Sequence, residues 1–89
     1  MTGYPPERVF ADILAIIPTL INAGYRVRFE AYSGTRTELN FLHVRIRHNY
    51  TSSNACEADL VWNEEGTGLK ELHDLYDALV DLVAEDMPF

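Results

Sequence analysis

Residues Leu69 to Met87, LKELHDLYDALVDLVAEDM, constrain the chain more than any other stretch. At about 100° per residue, Leu69, Leu72, Leu75, Tyr76, Leu79, Val80, Leu82 and Val83 fall on one broad arc. Glu71, Asp74, Asp77, Asp81 and Glu85 fall on another. The spacing predicts an amphipathic helix with an acidic outer stripe. Such a helix folds by covering an apolar surface, so the remaining residues must supply one.

They do so in two ways. Val9, Phe10, Ile13, Leu14, Ile17, Leu20 and Ile21 recur at helical spacing behind Pro5-Pro6-Glu7. Proline suits a first helical turn, where its missing N–H costs nothing, and Glu7 complements the positive end of the helix dipole. Pro18 lies inside the pattern and predicts a kink or a break there. Gly24 is the expected stop, because it tolerates a left-handed conformation. Three alternating stretches follow. Tyr25, Val27, Phe29 and Ala31 oppose Arg26, Arg28 and Glu30, and Ser33-Gly34 reads as a turn. Between about Thr37 and His48, Leu42, Val44 and Ile46 oppose His43, Arg45 and Arg47. Asn49 to Asn54 is polar and loop-like. From Ala55 to Trp62, Cys56, Ala58, Leu60 and Trp62 oppose Glu57 and Asp59.

The expected fold class is α+β in the order α-β-β-β-α, as a single domain over residues 1–89. Short connections favour a three-stranded antiparallel sheet. Two helices and a sheet with one apolar face each give a two-layer sandwich, both helices on one face. The open face would carry Arg26, Arg28, Arg45 and Arg47 beside Glu57 and Asp59.

Charge is unevenly spread. The net charge is −7, but residues 1–56 carry six arginines against Glu7, Asp12, Glu30 and Glu38, which leaves +2. Residues 57–89 carry ten acids against Lys70, which leaves −9. A field of that sign repels nucleic acid and anionic lipid and attracts basic surfaces. Cys56 is a single cysteine and cannot form an internal disulfide. With no signal-peptide pattern and no apolar run near the ~18 residues of a membrane span, a cytoplasmic location is expected.

The motifs of catalysis and cofactor binding are weak. His43, His48, Cys56 and His73 lack ligand-like spacing, so no metal is expected. Cys56 alternates with core residues and reads as an inert thiol. The acids lie on a solvated helix face, where carboxylates make poor general acids. Gly66-Thr67-Gly68 sits between a strand and a helix, but Glu64 and Glu65 would repel a phosphate, and a turn with a cap accounts for it. No cofactor and no enzymatic activity are expected.

From roughly Glu7 to Glu85 the order of elements resembles that of double-stranded RNA-binding domains, in topology alone. In that family a basic cluster at the start of the final helix grips phosphates. Here the corresponding Thr67-Gly68-Leu69-Lys70-Glu71 offers one lysine, and the acidic helix beyond it repels a duplex. The expectation is therefore no direct nucleic-acid binding.

The acidic stripe departs from what stability alone would select. Acids three or four residues apart repel, no interleaved lysines relieve them, and Asp81, Glu85 and Asp86 approach the negative end of the helix dipole. Departures of this kind mark functional surfaces. The expected function is a non-enzymatic, acidic protein-binding module, monomeric or homodimeric. Glu71, Asp74, Asp77, Asp81 and Glu85 would occupy a basic surface on a protein or nucleoprotein partner, including one that ordinarily holds a nucleic-acid backbone. Tyr50 is a candidate aromatic anchor. Acidic phage-encoded inhibitors, among them anti-CRISPR and anti-restriction proteins, and bacterial immunity proteins share this general character. The alternative is a small oligomeric enzyme or ligand-binding subunit whose site is completed between subunits.

Overall fold

Proline sets the first boundary. Pro5 is extended, Pro6 opens helix α1 (Pro6–Asn22), and the Pro5 carbonyl accepts from the N–H groups of Arg8 and Val9 at 2.9 and 3.3 Å. The structure, a computed structural model, describes residues 5–34, 38–49, 51 and 53–86, without the side chains of the last two. Gly24 ends α1 as expected. Its φ is +98°, and its N–H donates to the Ile21 carbonyl at 3.1 Å.

Pro18 does not break α1, which continues through it to Asn22. Pro18 and Leu14 are both exposed, so the lost backbone bond falls on the watered side of the helix. Water can replace it there, and the core face keeps its ladder.

Strands β1 (Tyr25–Gly34), β2 (Leu39–His48) and β3 (Asn54–Trp62) form one antiparallel sheet in sequence order. Ser33 and Gly34 are strand residues rather than a turn, because they pair with Asn40 and Leu39. The connection falls later, where Glu38 takes a φ of +56°; the proposed strand start at Thr37 lies outside the described residues. A bulge interrupts the second ladder: Ile46 faces Cys56, but Arg47 faces Asn54, so Ala55 is the extra residue. It brings Asn54 onto the open face, where its side-chain oxygen accepts from Arg47 Nε at 3.2 Å.

Helix α2 (Leu69–Asp86) returns over β3, while α1 lies over β1 and packs against α2. The core lies between this helix pair and the sheet. It joins Val9, Ile13 and Leu20 of α1, Tyr25 of β1, Leu42, Val44 and Ile46 of β2, Trp62 of β3, and Leu72, Leu75 and Leu79 of α2. Leu42, Val44 and Ile46 of the central strand are fully buried, whereas Val27, Phe29, Cys56, Ala58 and Leu60 on the outer strands are only partly covered. Two helices shield three strands best in the middle. Among the described residues no helix is long and apolar enough to cross a membrane.

Candidate functional site

α2 starts where a tight loop lets it. Asn63 organises that loop. Its side-chain oxygen accepts from the N–H groups of Glu65 and Thr67, both at 3.0 Å, and its own N–H donates to the Thr67 carbonyl at 3.0 Å. The N–H groups of Gly66, Leu69 and Leu72 are taken by backbone carbonyls of Asn63, Gly66 and Gly68. Gly66-Thr67-Gly68 is thus a closed turn in which the Gly66 and Thr67 donors are used locally. Gly68 is bound to that role: at φ +75°, an added Cβ would stand 1.9 Å from the Val61 carbonyl oxygen. The glycines were visible in the sequence, but nothing there singled out Asn63 among the chain's asparagines.

With its start fixed, α2 turns Leu72, Leu75 and Leu79 into the core and leaves Glu71, Asp74, Asp77 and Asp81 exposed. Glu85 belongs to the helix, but its side chain lies outside the described residues, as does Tyr50. Neighbouring acids on this stripe are about 5–6 Å apart at Cβ. Among the described residues one cation answers them: Lys70 Nζ lies 2.8 Å from Asp74 Oδ2. That hydrogen bond and charge raise the Lys70 pKa, but both groups are exposed and the pair is worth little in water. The last turn of α2 has no basic residue. The start of α2 thus offers one lysine, already paired with an acid.

The acidic surface extends from the helix onto the sheet. A groove of about 340 Å³ runs between α2 and β3, lined by Glu71 and Asp74 on one side and by Glu57 and Asp59 on the other. The Glu57 carboxylate is partly committed, 3.3 Å from Arg45 and 3.9 Å from His43. Asp59 faces His43 across the ladder. Cys56 lines the same groove, half-buried, and burial pushes its thiol pKa up. That disfavours the thiolate needed of a nucleophile.

The open sheet face carries the opposite charge at one end. Register places Arg26 against Arg47 and Arg28 against Arg45. These like-charge pairs are partly relieved by Glu57 on Arg45, Glu30 on Arg28 at 3.6 Å and Asn54 on Arg47. At the other end Tyr32 stacks on Phe41 with ring centres 5.1 Å apart. Among the described residues, no group of three or more His, Cys, Asp and Glu is placed to hold a metal ion.

Comparison with protein-family models, with curated proteins and with solved structures returns no match.

Proposed function

We propose that the chain is a non-enzymatic protein-binding module whose acidic face docks on a basic surface of another protein or nucleoprotein. The observation that carries this reading is the row of exposed acids Glu71, Asp74, Asp77 and Asp81 on α2, of which Glu71 and Asp74 share a groove with Glu57 and Asp59 of the adjoining edge strand β3. Folding does not require that row of acids. The helix would cover the sheet equally well with lysines interleaved among the acids of its outer face, and would be relieved of like-charge repulsion. A surface of one sign speeds encounter with its complement and orients the approach. If the partner's basic surface normally holds a nucleic acid, occupation by this face makes the module an inhibitor, the character shared by acidic anti-CRISPR, anti-restriction and immunity proteins.

The test is affinity capture from a bacterial lysate at low and moderate salt, with a variant carrying Asp74→Lys, Asp77→Lys and Asp81→Lys beside the native chain. A basic protein held by the native chain, lost by the variant and released as salt rises is the expected result. Retention of the same partner by both would move the interface elsewhere and overturn the reading.

A further inference from the structure

β3 is an outer strand of the sheet, and among the described residues it pairs with β2 alone. Its other backbone edge therefore presents N–H and C=O groups to which another chain can add a strand. The groove beside that edge has a floor of Cys56, Ala58, Leu60, Leu75 and Ala78, all small or apolar. Its rims are acidic. A second recess of about 610 Å³ shares Asp59, Leu60 and Glu71 with the first, but opens past Val61, Thr67 and Gly68 towards Tyr32 and Phe41 on the other two strands. The trough along the edge runs from Cys56 to Leu60, long enough for about five extended residues at ~3.3 Å each, and ends where Gly68 closes on the Val61 carbonyl.

We propose that this trough takes an extended basic segment of a partner protein as a fourth strand beside β3. The inference rests on the acidic-face reading and specifies its partner chemistry. Side chains on a strand alternate between faces, and here the two faces ask for different residues. On the open face the added strand passes Glu57 and Asp59, which select lysine or arginine. On the other face it passes beneath α2 against Ala58, Leu60, Leu75 and Ala78, which select small apolar residues. Glu71 and Asp74 overhang the strand from α2, and their charge adds to the preference for a basic segment. The opposite edge of the sheet selects against the same guest. β1 carries Arg26 and Arg28 there, with Glu30 beside Arg28. A basic helix laid on Asp77 and Asp81 would satisfy the charge but leave the strand edge unused.

Peptides as long as β3 test this. One alternates lysine and valine; a second groups the same residues into a lysine block and a valine block. Two more are the alternating peptide N-methylated at every lysine or at every valine. The alternating peptide should bind about tenfold more tightly than the block peptide and slow amide exchange in β3 but not in β1. One of the two N-methylated forms should lose that advantage, because alternate amides of an added strand point at its neighbour. Ala78→Phe fills the trough without changing charge. It should weaken the alternating peptide about tenfold and leave the block peptide unaffected. If Ala78→Phe does not fold, the N-methylated pair carries the same decision. Equal binding of all four peptides without β3 protection would overturn the strand-addition inference and leave the charged face standing as a docking surface. Protection of β1, or no binding by any peptide, would also overturn it, while lysate capture with the charge-reversed variant decides the acidic-face reading separately.

Discussion

α1 and α2 cover one sheet and leave opposite surfaces to water. α1 keeps Leu14 and Ile21 exposed at 43% and 55%, above the edge strand that carries Arg26 and Arg28. α2 keeps a row of acids exposed above the edge strand that carries Glu57 and Asp59. Their inner faces are alike, with Ile13 and Leu20 on one helix as fully buried as Leu72 and Leu79 on the other. The hydrophobic effect fixes only the inner arc of such helices. Their outer arcs are free to differ, and the difference polarises the molecule into a β1 side and an acidic β3 side.

The sharpest way to break the comparison is to attack the inner face of α2. Leu79→Ala removes a side chain with no exposure and should cost about 2–5 kcal/mol in urea unfolding. Val80, on the predicted apolar arc but 38% exposed, should cost under about 0.5 kcal/mol when changed to alanine. Equal losses at the two positions would mean that the buried arc is misassigned.

The loop that fixes the angle of α2 comes next. Gly68→Ala forces a Cβ against the Val61 carbonyl at a positive φ and should cost about 2–3 kcal/mol. Gly66 has a φ of +111° but open space around it, so Gly66→Ala should cost about 1 kcal/mol. Asn63→Ala removes the acceptor of two backbone N–H groups and should cost about 1–2 kcal/mol. It should loosen α2 before α1, a difference that amide exchange can resolve.

The outer face should respond least. Each reversal of Asp74, Asp77 or Asp81 to lysine should change stability by under about 0.5 kcal/mol. Relief of like-charge repulsion is offset where a new lysine at position 74 meets Lys70. Loss of the cooperative unfolding transition would show that the stripe is structural. The smallest effect concerns Cys56. Its folded pKa is raised by burial, so the unfolded chain gives up the thiol proton first. The native thiol leaves stability unchanged below the ordinary thiol range and lowers it as pH rises through that range. Cys56→Ala should therefore flatten the alkaline limb of the stability profile, measured against the native chain.

Local periodicity carried far. The two helices, the three alternating strands, the meander and the outward acids of α2 follow from residue spacing, because burial on one face imposes a period of 3.6 or 2 on any sequence that folds this way. The stop at Gly24 and the start at Pro6 are equally local. What spacing could not supply was the balance between a local preference and its neighbours. Pro18 stays within α1 because its lost bond faces water, a fact of the helix's placement. Ser33 and Gly34 pair across the ladder because β2 is beside them. The bulge at Ala55 brings Asn54 to Arg47, and Asn63 was one polar loop residue until the fold closed the turn around it. Above all, the sequence by itself determined that α2 has an acidic face. Only the tertiary structure set that face beside the free edge of β3 and opened an acidic trough between them, because a contact between residues far apart in the chain depends on packing rather than on period.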